Sequence, residues 1–448
     1  MKNYILTSIM AMLVAQSAYA LDVVYPKKNE VELASPTTFF VGNSDVDKIL
    51  KINGVVVPVH KSGGFAHFVN LESGLNEFVL ESGDEVQVFK ITNNQNLFEN
   101  GTVYTKAFSE PRAFVTTKDN VPLRSTPIDG GINRIAHYSK DMPLKVIGQT
   151  GAFYQVELNG EKTAWINISH VEEGGDISVA KLINKESSND DEYYVFKFEF
   201  DKKVPYVIEG GYPFVVKFYN VSGEENETLT FTFPLAQKLA GYSGKFEDNT
   251  FVLKIRKFPE IKEEKPLKNI KIVVDAGHGG KEIGSIGCLR NEEKDINLSI
   301  AKYLEKELKS RGADVIMTRR HDDYVDLYDR VEFTNEKDAM IFLSIHANAL
   351  PDTMNPLENT GTSIYYYYPQ AKALADAIMK NMNEQLPFAN DKVRKGSLAV
   401  VRNTNALSVL IEVAYLINPE DNAKLLDKDI QKDSAKAIAD GLEEFMKN

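Results

Sequence analysis

Cysteine is almost missing from this chain: Cys288 stands alone among 448 residues. A single thiol excludes an intrachain disulfide, so stability has to come from packed cores. Long apolar runs are just as scarce. Ile5 to Val14 is too short for a stable membrane helix, and no later segment approaches the ~20 uninterrupted apolar residues that a span needs. With Lys2 before it and Ala18-Tyr19-Ala20 after it, this stretch reads as a secretory signal over residues 1–20. The expected mature protein is therefore exported, to the periplasm, the cell envelope or the medium, and makes no stable membrane insertion. No cysteine opens that mature chain, which argues against a lipid anchor there. Excess positive charge is also lacking. The net charge of −12 argues against nucleic acid as a partner, since phosphate binding needs a cationic face.

What is present divides the chain. At 448 residues it is too long for one ordinary domain. From 21 to 100, short apolar runs such as Thr37–Val41, Val55–Val59 and Phe65–Val69 are separated by Asn53-Gly54, Gly63-Gly64 and Ser73-Gly74. Turn signals at that spacing predict a small β-sandwich, which resembles the immunoglobulin-like modules of bacterial envelope proteins. Residues 112–172 carry Leu123-Arg124-Ser125-Thr126-Pro127, Phe153-Tyr154-Gln155-Val156 and Ala164-Trp165-Ile166. This unit resembles a bacterial SH3 domain, with Phe153 and Ala164 where tryptophan and glycine are usual. The resemblance implies a module that binds wall peptides or acts as a spacer. Residues 177–258 alternate again and predict a third β-rich unit, similar to the AMIN modules that precede many wall amidases. The Lys- and Glu-rich residues 259–266 read as a linker.

After Leu267 the period changes. Strand-like Lys271–Val274 is followed by a helical pattern over Glu293–Arg311, with Ile296, Ile300, Tyr303, Leu304 and Leu308 on one face. The alternation continues through strand Val315–Thr318, helix Leu327–Asn335, strands Ala339–His346 and Thr362–Tyr368, helix Ala371–Asn383, strand Ser408–Val413 and a last helix near Ile430–Met446. The expected whole is multidomain: small all-β modules followed by a C-terminal α/β domain, 267–448, with a largely parallel sheet flanked by helices.

Strand ends in such a sheet are where sites form. His278 sits in Asp275-Ala276-Gly277-His278-Gly279-Gly280, where the glycines let the chain turn and leave the imidazole uncovered. His346 ends the Ala339–His346 strand, Glu293 opens a helix, and Glu412 ends the apolar run Val409-Leu410-Ile411. Two imidazoles and one carboxylate form the ligand set of an open catalytic zinc site, with a second carboxylate available as general base. Such a site hydrolyses amides. Each residue has a plainer use as well. The histidines can be hydrogen-bonded core residues, Glu293 can stabilise a helix N-terminus, and Glu412 can pair with an arginine. Glu292 is the alternative ligand, Cys288 reads as a small buried hydrophobe, and Arg290 as a surface arginine.

The blocks "VVDAGHGG", "EEKDINLSIA", "VIMTRR", "DRVEFTN", "FLSIHANA" and "VLIEVAYLINPEDN" in this order resemble the zinc-dependent N-acetylmuramoyl-L-alanine amidases, from Lys271 to about Leu426. The resemblance implies one zinc ion held by His278, Glu293 and His346, with Glu412 as catalytic acid/base. It also implies peptidoglycan as the substrate, cut at the amide between N-acetylmuramic acid and L-alanine. A zinc peptidase acting within the stem peptide and a wall-binding scaffold are the competing readings. Tyr368 runs almost at once into the next helix, leaving no room for the blocking helix of self-inhibited amidases. The domain from Leu267 onward is therefore expected to be catalytically open on its own.

Overall fold

The structure is a computed structural model that describes residues 21–94, 104–223, 225–234 and 238–448. The expected leader, 1–20, lies outside the described residues. Among the described residues no helix is long and apolar enough to cross a membrane.

The first unit is two facing sheets. One has three strands, in the order Leu21–Tyr25, Thr37–Ser44, Gly64–Asn70; the other has five, built on the hairpin Gly74–Ser82 and Glu85–Asn93. Phe40 and Phe65 from the first meet Leu80, Phe89 and Ile91 from the second in one core. The run Thr-Thr-Phe-Phe-Val has no polar alternation because both of its faces are covered. Phe40 points into the sandwich, while Phe39 and Val41 point out, against Cys288 and Ile417 of the C-terminal unit.

Between 106 and 173 the chain forms a seven-stranded sheet, and from 182 to 256 it forms two further sheets of four and three strands. These regions share one core, in which Val121, Leu144 and Tyr138 join Phe198, Phe218 and Phe251. The buried Tyr138 hydroxyl donates to the Tyr206 carbonyl at 3.1 Å across that junction. Strand alternation shows that each segment has an apolar face but not which faces meet.

The C-terminal unit carries the site. Its strands are β1 (Lys271–Ala276), β2 (Asp314–Met317), β3 (Ile341–Asn348), β4 (Thr362–Tyr366), β5 (Asn390–Lys395) and β6 (Leu407–Tyr415). Its helices are α1 (Glu293–Ser310), α2 (Leu327–Glu336), α3 (Lys372–Gln385), α4 (Pro419–Leu426) and α5 (Lys428–Lys447). The strand order is β2-β1-β3-β6-β4-β5, parallel throughout except where β4 meets β6 antiparallel. The sheet is thus mixed, with a largely parallel centre. Residues of α1, α3 and α5 cover one face in the main core, with Ile300, Leu304, Ile378 and Leu442 all fully buried. The other face, Val273, Phe342 and Leu410, is covered by Val400, Val401 and residues of α2.

Strand β5 carries no clear sequence signal, whereas helix α4 is announced by Asn418-Pro419 and the acids of its first turn, a start signal the sequence reading passed over. β5, Asn-Asp-Lys-Val-Arg-Lys, is an exposed edge, where charge protects against pairing with other chains and erases the apolar period. β6 runs on to Tyr415, so Glu412 lies inside the strand and not at its end.

Candidate metal centre

Three strands deliver the site to one edge of the sheet. β1 ends at Ala276, and the chain turns through His278, which has φ 59°, followed by Gly279 at φ 136° and Gly280 at φ 54°. A non-glycine residue in this left-handed region carries a cost on the order of 1 kcal/mol, and its surroundings must hold it there. Two buried arginines do so. Arg319 donates to the carbonyls of Ala276 and Gly277, and Arg330 to those of Ala276 and His278, all at 2.9–3.0 Å. Arg330 also pairs at 2.6 Å with Asp275, which is fully buried and accepts further hydrogen bonds from Thr318 and Ser344. Burial alone would raise the Asp275 carboxyl, but Arg330 and these hydroxyls outweigh it and lower it.

This pairing makes Arg330→Met a test of scaffold rather than chemistry. Removing one partner leaves a buried carboxylate unpaired, so unfolding is expected about 3–5 kcal/mol easier by denaturant titration. A change below about 1 kcal/mol would mean that Asp275 finds another partner.

His346 lies on β3, in register with Glu412 on β6. Glu293 opens α1 and reaches back: its Oε1 is 2.9 Å from His346 Nδ1 and 3.3 Å from His278 Nε2, and its Oε2 accepts from the Ser285 N–H at 2.9 Å. The fully buried Asn297, one turn along α1, donates to Glu293 Oε1 at 3.1 Å. Donor atoms of His278, Glu293 and His346 all lie within 4.8 Å of one another. Glu292 stays outside, 3.2 Å from Lys294.

The local packing fits a metal ion. A Cβ on Gly277 would sit 2.2 Å from His346 Nε2, and one on Gly284 2.5 Å from Glu293 Oε2, so only glycine leaves the donors room. Among the described residues Glu412 Oε2 is buried without a hydrogen-bond partner, and no arginine pairs with it. The two carboxyls are driven apart. Burial would raise Glu293, but hydrogen bonds from His278 and His346 hold it well below the usual range. Burial, and then the charge of Glu293, push Glu412 well above it.

Sequence reading picked out these four residues but missed Asp275, Arg319, Arg330 and Asn297. Arg319 and Arg330 lie in the "VIMTRR" and "DRVEFTN" blocks, so the signal was there, but a charged residue in a motif does not announce that it is buried. Arg290, read as a surface residue, donates through Nε and Nη2 to the two carboxylate oxygens of Asp22 of the first β unit at 2.5 Å.

That contact belongs to a clamp. Asn43 donates to the Cys288 carbonyl at 3.1 Å, Tyr25 and Thr38 donate to Asp352 Oδ1 at 2.7 Å, and Thr37 donates to the Asp352 carbonyl at 2.9 Å. The first β unit therefore holds both loops beside the metal edge, 277–292 and 349–361. Cys288 is buried beneath Phe39 and Val41, and burial pushes its thiol up to about 12, so it behaves as a hydrophobe. These contacts revise the expectation that residues 267–448 work alone. Cutting at Leu267 uncovers Cys288 and Ile417, each worth roughly 1.5–3 kcal/mol of burial, and releases the loop that leads into Glu293. The truncated chain is expected to melt earlier and turn over small soluble fragments more slowly than the full chain. Equal melting and equal rates would show the clamp to be idle.

Residues 272–444 match the family model described as N-acetylmuramoyl-L-alanine amidase. A Staphylococcus aureus protein named Probable cell wall amidase LytH is 35% identical over 183 residues, which are 40% of this chain and 60% of that one. The chain thus spans 60% of the length of that curated relative. Among solved structures, the catalytic domain of CwlV, an N-acetylmuramoyl-L-alanine amidase from Bacillus (Paenibacillus) polymyxa var. colistinus, is 35% identical. That likeness covers 40% of this chain and 98% of the CwlV chain, with a TM-score of 0.38. AmiC2, an N-acetylmuramoyl-L-alanine amidase of Nostoc punctiforme, is 31% identical over 42% of this chain and all of its own, also with a TM-score of 0.38.

Proposed function

Because residues 272–444 belong to the N-acetylmuramoyl-L-alanine amidase family, we propose that this chain is an exported, zinc-dependent peptidoglycan hydrolase. It cuts the amide between N-acetylmuramic acid and L-alanine and acts at the cell envelope. The observation that carries this reading is the convergence of His278, Glu293 and His346 beside the unpartnered Glu412. These three side chains would hold the zinc ion, which supplies Lewis-acid polarisation of the scissile carbonyl.

The chain's own groups do the rest. Asn297 and the Ser285 N–H fix the Glu293 carboxylate, so the ligand needs little reorganisation. Arg319 and Arg330 hold the His278 turn. Glu412 accepts the proton of the attacking water as the C–O bond forms, and it delivers that proton to the departing nitrogen as the C–N bond breaks. Its burial beside Glu293 suits it to hold the proton between those two moments. We assign the modules 21–100, 112–172 and 177–258 as immunoglobulin-like, SH3-like and AMIN-like units that position the enzyme on the wall, with 259–266 as linker.

Purified peptidoglycan digested by the full chain, with and without a chelator, tests the whole reading by mass spectrometry. The expected products are free peptides beginning with L-alanine and an intact glycan, and both vanish with chelator. L-alanine left on the sugar would make the protein a peptidase, and no release at all would make it a scaffold.

A further inference from the structure

A cavity of about 790 Å³ opens on the α2 side of the C-terminal unit, where it meets the second and third β units. It is not the metal site. Its C-terminal wall is Tyr328, Val331 and Asn335 of α2 with residues 399–405, which precede β6. Glu412 lies seven residues beyond Asn405, about 23 Å at the ~3.3 Å rise of a strand.

The lining holds four cations, Lys118, Arg124, Arg134 and Arg402, against two carboxylates, Asp119 and Asp129. Local charge therefore runs opposite to the chain's net −12. Among the described residues only one of these guanidiniums has a carboxylate partner. Arg124, 3% exposed, pairs with Asp129 at 2.7 Å. Among the described residues Arg134 and Arg402 have no carboxylate partner; Arg402 donates to the Ser397 carbonyl and hydroxyl, and Arg134 approaches His137 at 3.4 Å. The Nε atoms of Arg124 and Arg134 are buried with no acceptor. Arg134 and Arg402 are half-buried, and cations drawn out of water without a carboxylate partner are costly, so such a cluster persists where an anion completes it. Burial first, and then Arg134, Arg402 and Arg124, push His137 down to about 3.

The walls are held in place. The Tyr367 hydroxyl bridges the Arg134 N–H and carbonyl at 3.2 and 3.1 Å, and the Tyr242 N–H donates to the Thr404 carbonyl at 2.7 Å. The volume falls in the range of preformed ligand pockets. The remaining lining chooses between anions. Asn120 and Asn405 offer amide edges that pair with peptide bonds, while Asn403 already donates to Asn335; Asp119, with Asp129 beside Arg124, would welcome an ammonium but repel a polyphosphate.

We propose that this cavity binds an acidic peptide carrying carboxylates and a free amine, the class that includes wall stem peptides. The choice of stem peptide rests on the amidase reading; the peptide chemistry rests on the cavity alone. Bound there, the peptide anchors all three units at once and lies away from the catalytic edge, so it raises residence on the wall without occupying the metal site.

Calorimetry on the full chain tests this with an L-Ala-D-Glu-L-Lys tripeptide, the same tripeptide with its carboxyls amidated, and inorganic phosphate. The free tripeptide is expected to bind, and amidation to abolish binding. Arg134→Gln and Arg402→Gln are each expected to weaken it by about 10- to 100-fold, the worth of a charge-assisted hydrogen bond. Arg402, held only by Ser397, provides the variant least exposed to misfolding, and both variants should keep the parent rate on small soluble fragments. No binding by the parent chain, equal binding by both variants, or phosphate binding as tightly as the tripeptide would overturn the proposal. The readout needs no turnover. Tripeptide binding in a chain that releases nothing from peptidoglycan would therefore sink the amidase reading and leave the cavity assignment standing.

Discussion

Replacing His346 by alanine is expected to strip the metal from the protein and abolish hydrolysis. His346 supplies one of three donors that lie within 4.8 Å of one another, and two donors bind a divalent ion far more weakly than three. Loss of the Lewis acid removes several kcal/mol of transition-state stabilisation, so the rate should fall by roughly 10³-fold or more. The change also leaves Glu293 buried without its 2.9 Å partner. Zinc content by elemental analysis and turnover on peptidoglycan fragments are measured on the same sample, with circular dichroism confirming the fold. A variant that keeps one zinc per chain and its activity would remove His346 from the ligand set.

Glu412→Gln is the complementary experiment. Glutamine keeps the shape and the burial beside β4 but cannot accept a proton, so zinc should stay bound while turnover falls by ~10²–10⁴. The stability effect should run the other way. Glu412 is half-buried, its buried Oε2 has no partner among the described residues, and its neighbour Glu293 is negative; a neutral amide relieves that repulsion. The expected variant is therefore slower and no less stable, a combination that a merely structural glutamate would not produce. If zinc leaves together with the activity, Glu412 is a ligand and the division of labour between the two glutamates is reversed.

The two variants separate binding from proton transfer because the structure separates the carboxyls. Glu293 is drawn down by two imidazoles on the loop side, and Glu412 is pushed up within the sheet, although the two are close enough to feel each other's charge. Sequence spacing gives no hint of which carboxyl goes which way, since residues 293 and 412 are on different elements with different neighbours.

Much about this protein is local and was therefore readable from the chain. The switch from strand alternation to helical period after Leu267, the glycines around His278 and the apolar run into Glu412 each depend on neighbours a few residues away. They foretell the α/β unit and the residues that meet at its edge. Tertiary structure alone decided the rest: that residues 106–256 share one core, that Phe39 and Val41 turn outward onto Cys288, that Arg319 and Arg330 are buried behind the His278 turn, and that Arg124, Arg134 and Arg402 come together around a cavity. Each of these joins surfaces far apart in sequence. Periodicity reveals that a face is apolar or that a residue is charged, but the partner of that face, and whether water reaches that charge, is settled only when distant segments pack together.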